Sequence, residues 1–382
     1  MDLLYYLPHT SGGIFDYAIA QTHALAKVGV KVTVLVPETG DFPVISGVTC
    51  RSVLEDETRV IPRSSRLLRR IERSGSIIRN IRRLEKLIKT EKFRHVLFST
   101  YTEYAAPLWA FRLRRFVRSG VRFSAILHDP VRNYVVGPKR WHTWSITEGY
   151  SFLRDIFVHE QIDPGEIGIP TGIEVSLIPH GPLAFPGGDD SGSVVRKRLD
   201  IPGDAKVLLS FGQIRDGKNL DLVIGALREI PDAWLLVAGK VAGGGNRPVT
   251  DYQNLAESSG IANRCRWVTD YIESKDVASY FAAADAILLT YSRAFRSASG
   301  VLNAAACFQK PCIASSGAGP LRTQVTKYGL GVWVEPDDQQ ALKAGIATWL
   351  GGIPEPRWEE YRSENSWSRN AEVIRDRLFV QP

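Results

Sequence analysis

The sequence predicts an α/β protein built from two doubly wound parallel-sheet domains in tandem, and three observations carry that reading. The first is a βαβ unit at the N-terminus. There an apolar run, Leu3 to Leu7, leads into the small-residue turn Thr10-Ser11-Gly12-Gly13, a helix-period segment over 15–28 and the β-branched run 31–36 closed by Pro37. The second is the return of the same alternation after a turn-rich stretch near residue 182. The third is the length of 382 residues, which at ~100–200 residues per domain gives two domains, each able to bury its own core.

Taken in order, Tyr17, Ala20, His23, Ala24 and Leu25 recur at helical spacing, and 95–98 and 123–127 read as buried strands. Pro186-Gly187-Gly188-Asp189-Asp190-Ser191-Gly192-Ser193 is rich in turn formers and reads as a linker. Beyond it, strands are predicted at 206–211, 234–238, 266–268, 286–289, 311–314 and 331–334. Helices are predicted at 220–228, 275–283, 300–307 and 339–350. Ligands of doubly wound sheets bind outside the carboxyl ends of the strands, so the expected site is a cleft between the domains.

Composition excludes several classes. The chain is 44% hydrophobic and 23% charged, as ordinary globular proteins are. Asp2 stands where a secretion signal needs a basic residue, and no stretch approaches the ~18 apolar residues of a membrane-spanning helix. Cys50, Cys265, Cys307 and Cys312 form no C-x-x-C pair and read as buried free thiols in a reducing cytosol. The seven histidines make no metal-binding spacing, so no metal site is expected. A net charge of +7 invites a polyanionic partner.

The second half carries more specific residues. Phe211-Gly212-Gln213-Ile214-Arg215-Asp216-Gly217-Lys218-Asn219 follows a strand and precedes a helix; Ala283-Ala284-Asp285 precedes another strand; Ser299-Gly300-Val301 opens a helix; and Lys310-Pro311 leads into the next strand. The first half has Ser11-Gly12-Gly13 before a helix and His128-Asp129 after a strand. Ile178-Pro179-His180-Gly181 marks the crossing between halves, and Trp367 stands near the end. In order and spacing these resemble the retaining glycosyltransferases of the GT-B fold, family 4, over almost the whole chain.

The resemblance implies two Rossmann-like domains facing across a cleft: residues 1–182 binding the acceptor, 183–362 binding a nucleotide sugar, and 363–382 as a helix crossing back to the first domain. It implies a retaining, metal-independent transfer from a UDP- or GDP-linked sugar, the donor being a substrate and no cofactor being needed, in polysaccharide or glycolipid assembly. The catalytic candidates are His128, Arg215 and Lys218. The donor-binding candidates are Gly12, Gly13, Gly212, Arg215, Lys218, Arg296, Ser299, Gly300 and Val301. Chemically, Arg215 and Lys218 suit a growing diphosphate charge, and a helix opening at Ser299 offers free amides to phosphate. The alternatives are a solvated basic loop and a plain N-cap. Gly12 and Gly13 permit a close backbone approach or simply make a tight turn. His128 is placed beside the transferred sugar, and Asp129 either orients its imidazole or caps a turn.

The chain departs from the family pattern at its usual Glu-x7-Glu pair, where Arg296 and Ala304 stand, and at a usual arginine, which is Gln213. Asn303 is a candidate to restore a hydroxyl contact. A non-catalytic nucleotide-sugar binder or partner subunit is therefore the alternative function, and a sugar-nucleotide epimerase a third.

Between Arg59 and Arg94, thirteen basic residues face three acidic ones, a local excess of +10 that leaves the rest of the chain at −3. Interleaved Leu67, Leu68, Ile71, Ile77, Ile78, Ile81, Leu84, Leu87 and Ile88 give it helical amphipathicity, with a break expected at Ser74-Gly75. The expected partner is an anionic membrane surface, with peripheral attachment at the inner face of the plasma membrane and an otherwise cytoplasmic location. The alternative is surface helices packing on their own sheet; nucleic acid is not expected. Trp141, His142 and Trp144, after Asn133-Tyr134, offer either a stacking wall for an acceptor sugar or core packing.

Overall fold

A computed structural model describes residues 1–57, 66–128, 130, 135–161, 163–165, 168–182, 192–243 and 245–380, with the side chains of 66–71 excepted. The expected linker residues 183–191, Asp129, and Asn133-Tyr134 lie outside the described residues, as do Arg59 and Arg63 of the basic segment. The chain divides into two compact units, Met1–His180 with Asn365–Pro382, and Gly181–Glu364.

The first unit is a seven-stranded sheet of β1 (Asp2–Tyr6), β2 (Lys31–Pro37), β3 (Val48–Leu54), β4 (His95–Phe98), β5 (Arg122–Leu127), β6 (Asp155–Val158) and β7 (Glu174–Leu177), in the order β3-β2-β1-β4-β5-β6-β7. Every pairing is parallel. Successive residues of a strand point to opposite faces, and β1 uses both. Leu4 and Tyr6 pack into one core with α2 (Arg66–Glu91), α3 (Ala110–Arg118) and α4 (Lys139–Tyr150). Leu3 and Tyr5 pack into the other, with α1 (Gly13–Lys27) and residues of the last helix, Trp367–Arg375. A strand buried on both faces must read as a continuous apolar run, which is why β1 and β2 were legible.

Helix α2 does not break at Ser74-Gly75. Ile77, Ile81, Leu84 and Ile88 form one buried stripe against the sheet, and that burial outweighs the ~1 kcal/mol helix cost of one glycine. Ile77, Ile81, Leu84 and Ile88, with the partly buried Leu87, are thus committed to the unit's own core, as the alternative reading held. The cysteines also differ from expectation: Cys265 and Cys312 are buried free thiols, whereas Cys307 is half-buried and Cys50, on the edge strand β3, is exposed.

The second unit is a six-stranded, all-parallel sheet of β8 (Lys206–Phe211), β9 (Ala233–Ala238), β10 (Cys265–Val268), β11 (Ala286–Thr290), β12 (Cys312–Ser315) and β13 (Gly331–Trp333), ordered β10-β9-β8-β11-β12-β13. One face is covered by α5 (Ser193–Arg198), α8 (Ser274–Ala283), α9 (Gly300–Cys307), α10 (Pro320–Tyr328) and α12 (Trp358–Glu364). The other is covered by α6 (Leu220–Leu227), α7 (Val249–Ser258) and α11 (Gln339–Leu350). The chain then returns to the first unit through α13 (Trp367–Arg375), capped by the Ser366 hydroxyl accepting from the Arg369 amide. Among the described residues, no helix is long and apolar enough to cross a membrane.

Candidate functional site

In the second unit, the predicted residues gather at the carboxyl ends of β8 and β11. The strand β8 ends at Phe211, and Gly212 turns the chain with φ +84°. Its backbone touches that of Gly239, where a Cβ would stand 2.4 Å from the Gly212 carbonyl oxygen. A Cβ on Gly212 would itself meet Lys218 Nζ at 3.7 Å and Val301 Cγ2 at 3.8 Å, so the glycine, the lysine and the start of α9 adjoin.

Lys218 is buried, and its ammonium donates to the Phe211 carbonyl. Burial, reinforced by the Arg215 charge, pushes its pKa down to about 7. The lysine expected as a fixed cation is therefore poised between its two protonation states. The Arg215 guanidinium lies 5.9 Å from the Phe295 ring, which stacks on Tyr291 at 4.1 Å and 19°. The Tyr291 hydroxyl lies 3.2 Å from Ser299 Oγ, and that oxygen caps α9 by accepting from the Leu302 amide. Gly300 and Val301 then contribute the first amides of the helix, with no carbonyl one turn behind them. Cation, ammonium and helix start together can hold an anion.

Arg296 sits in the loop before α9, exposed, its Nε donating to the Ala318 carbonyl at 3.2 Å. Ala304 is buried on α9. Asn303 is buried too, and its Oδ1 accepts from the Tyr361 hydroxyl at 2.6 Å, so this side chain ties α9 to α12 instead of reaching for a ligand. Tyr361→Phe should cost about 1–2 kcal/mol by chemical denaturation, the loss of one buried hydrogen bond, with no effect on ligand affinity.

In the first unit, Gly12 takes φ +86° and its carbonyl accepts from the Phe15 and Asp16 amides. A Cβ at Gly12 or Gly13 would meet nothing within 4 Å, so open space lies before both. One turn into α1, Tyr17 is surrounded edge-on by His128 (4.7 Å), His159 (5.3 Å), His180 (5.0 Å) and Trp367 (4.9 Å). Its hydroxyl accepts from Gln21 and Asn370, and Asn370 Nδ2 also donates to the Pro179 carbonyl at 2.7 Å.

His128 Nε2 lies 3.1 Å from the Ser99 carbonyl. A carbonyl only accepts, so Nε2 carries the hydrogen. Burial, then the neighbouring His180, pushes the imidazole pKa down to about 4. At neutral pH His128 is therefore uncharged, with Nδ1 as an acceptor. It can accept a hydrogen bond from a hydroxyl but holds no positive charge. Beside it is a cavity of about 280 Å³ lined by His9, Arg73, Thr100, Thr102, Glu103 and Tyr104, among others. His159 and the Tyr291–Phe295 pair were not anticipated, because long-range packing alone assembles them. Trp141 and His142 divide from Trp144: Trp141 Nε1 donates to the Tyr104 carbonyl and His142 stacks on Tyr104 at 5.5 Å, whereas Trp144 is exposed.

Two family models match this chain: "Glycosyltransferase Family 4" over residues 11–154 and "Glycosyl transferases group 1" over residues 193–369. The chain belongs to these glycosyltransferase families. It is 25% identical over 174 residues to a D-inositol 3-phosphate glycosyltransferase of Xylanimonas cellulosilytica, covering 45% of this chain and 40% of that protein. With the enzyme of that name from Corynebacterium efficiens it shares 25% over 205 residues, 52% and 46% of the respective lengths. The matched regions thus span less than half of those curated relatives. Among solved structures, sucrose-phosphate synthase from Thermosynechococcus elongatus superposes with a TM-score of 0.71 at 18% identity, covering 100% of this chain and 99% of that one. Anabaena HepE in complex with UDP superposes at 0.71 and 14%, covering 100% of both. The lipopolysaccharide glycosyltransferase WaaG superposes at 0.63 and 15%, again covering 100% of both. At these identities the likeness is one of fold, the GT-B fold with two parallel-sheet domains.

Proposed function

We propose that this chain transfers a sugar from a nucleoside-diphosphate sugar to a hydroxyl of a glycan or lipid-linked acceptor, retaining the anomeric configuration. The observation that carries this reading is the convergence of Arg215, Lys218 and the first amides of α9 on one spot beside Gly212. In the transfer, the bond from anomeric carbon to phosphate oxygen breaks as the bond to the acceptor oxygen forms; the diphosphate leaves with the electron pair, and one of its oxygens takes the proton of the acceptor hydroxyl. Arg215, Lys218 and the Gly300 and Val301 amides neutralise that charge, without need of a divalent ion. Arg296 and the Gly12–Gly13 turn remain donor-side candidates. The first-unit cavity takes the acceptor, with His128 Nδ1 accepting from a hydroxyl. HepE in complexes with UDP and with UDP-glucose, and a starch synthase bound to ADP and acarbose, support a nucleotide-sugar donor. The cations on the outer side of α2 fit an acceptor presented at an anionic leaflet.

One observation favours a second reading, a binder without turnover: the positions of the family's paired glutamates carry an exposed arginine and a buried alanine. Thermal-shift measurements with UDP-, GDP- and ADP-glucose test donor binding directly. One base series should stabilise the protein, and Arg215→Ala should weaken that ligand at least about tenfold. If none stabilises it and Arg215→Ala changes nothing, both readings fail. Binding without release of nucleoside diphosphate across acceptors would leave the binder.

A further inference from the structure

We propose that the outer face of the α2–α3–α4 layer docks on an anionic lipid surface, with Leu108, Phe111 and Trp144 entering the headgroup region. The expectation from sequence placed membrane contact on the amphipathic stripe of α2, but the described part of that stripe is buried in the core. Exposed apolar surface stands instead on the two neighbouring helices. Of the eleven large apolar side chains that stand exposed among the described residues, five fall between Leu108 and Trp144. Phe111 (41%) and Trp144 (51%) are the phenylalanine and the tryptophan in that set.

The geometry makes them one face. Helices α2, α3 and α4 all bury their inner sides in a single core against the same side of the sheet. Ion pairs join them laterally: Arg112 of α3 donates to Glu85 of α2, and Arg114 of α3 to Glu148 of α4. These pairs neutralise Glu85 and Glu148 on the flanks of α3. Within α3, Phe111, Arg115 and Arg118 follow at intervals of four and three and so project on one side, with Leu108 exposed just before the helix begins. On α4, Arg140 and Trp144 are four apart and both exposed. On α2, Arg82, Lys86 and Lys89 are exposed at the same spacing. Glu91, the exposed acid at the end of α2, is 3.8 Å from Arg51.

Aromatic rings beside arginine and lysine suit an interface that is apolar within and anionic at its rim. Tryptophan settles at headgroup depth, and long cationic side chains reach back to phosphate. Arg115 already lies 6.0 Å from the Phe111 ring, so one residue can meet lipid phosphate while the other enters the acyl boundary. A second copy of the chain is the weaker occupant, because an isologous contact would set this basic face against itself.

The face is also continuous with the cavity beside His128. Glu103 and Tyr104 line that cavity and begin the 3-10 turn Glu103–Leu108, whose last residue is the exposed Leu108. At ~2 Å per residue the cavity wall and the lipid-facing end are ~10 Å apart. A lipid-linked acceptor could place its headgroup in the cavity and leave its tail in the bilayer. This last step rests on reading the cavity as the acceptor site; the docking itself does not.

Co-sedimentation of the full chain with phosphatidylcholine vesicles, with and without phosphatidylglycerol, tests the proposal. The wild type should bind the anionic vesicles and fade as salt rises. The Phe111→Ser/Trp144→Ser variant should bind about tenfold or more weakly, and Arg115→Gln/Arg118→Gln should flatten the salt dependence. Both variants replace exposed residues and should keep the wild-type melting temperature. Failure of the wild type to bind either vesicle overturns the proposal, as does unchanged binding by the aromatic variant. A wild-type dimer in light scattering that the aromatic variant dissolves would also overturn it, assigning the face to a second copy. If the vesicle results hold while none of UDP-, GDP- and ADP-glucose shifts the melting temperature, the transferase reading falls and the docking face stands.

Discussion

Lys218→Met should lower kcat/KM for transfer by ~10²–10³-fold, the usual effect of removing one preorganised charge from a leaving-group site, while making the protein more stable. Both halves of that expectation come from one burial. The ammonium is enclosed beside Gly212, near Val301 and the Arg215 charge, and its pKa falls from 10.5 to about 7. In the folded chain the group releases its proton at lower pH than in the unfolded chain. Between about pH 7 and the ordinary lysine value the unfolded state therefore binds more protons, so stability rises with pH across that window and is lowest below it. Methionine of similar length removes this penalty at the cost of the bond to the Phe211 carbonyl, and the variant should melt higher at neutral and mildly acidic pH. A bound diphosphate reverses the preference, because two negative phosphates favour the charged amine. Donor affinity should thus be flat below about pH 7 and weaken above it, as binding must draw a proton from solution. A nucleotide sugar has no phosphate titrating in this range, so the slope belongs to the protein. Calorimetry in two buffers of different ionisation enthalpy reads the proton directly. Uptake near one proton at about pH 8 is expected in the wild type and none in Lys218→Met, and equal uptake in both would remove Lys218 from the phosphate site.

That lysine shows how far local sequence reaches. Arg215, Lys218 and Ser299-Gly300-Val301 were legible because each lies in a short loop between a strand and a helix, where chain order already places it at a strand end. The strands around them were legible for a related reason: a central parallel strand is apolar on both faces. The edge strands lack that signature. In β3, Val48–Leu54, four consecutive residues are exposed and Arg51 stands mid-strand, and β7 shows no buried residue at all. The cluster around Tyr17 was hidden differently, since it draws on α1, the ends of β5 and β6, residue 180 and the start of α13, up to 350 positions apart. The exposure of Phe111 and Trp144 was equally invisible, because composition cannot say which side of a basic helix faces its sheet. Strand β6 escaped for a third reason, the charged residue at its start.

Asp155→Ala should destabilise the first unit by ~3–5 kcal/mol, the range for leaving a buried charge without its partner. Asp155 opens β6 and is fully buried. Its Oδ1 accepts from Arg122 Nη2 at 2.6 Å and Arg377 Nε at 2.8 Å, and its Oδ2 from Arg122 Nε at 2.6 Å and Ser124 Oγ at 3.2 Å. The bidentate bond holds the Arg122 guanidinium above its ordinary pKa. Removing the carboxylate takes the bidentate partner from Arg122 and leaves Arg377 with the exposed Glu174 carboxylate 3.5 Å away, and neither guanidinium can neutralise itself. Arg377→Met should cost less, about 1–2 kcal/mol, because the Asp155–Arg122 fork survives it. The double variant should fall short of the sum, since both changes act on one network. The ordering also locates the strain. Arg377 belongs to the segment that follows α13, so loss of its bond frees the end of the returning chain, whereas loss of Asp155 also disturbs the β5–β6 pairing. Proteolysis should therefore clip the C-terminus of Arg377→Met while sparing the sheet, and melt the whole first unit of Asp155→Ala. A carboxylate that could be deleted for under ~1 kcal/mol would mean that water reaches both guanidiniums, and that the C-terminal segment is held by the apolar packing of Ala371, Ile374 and Leu378 and by the buried bonds of Asn370.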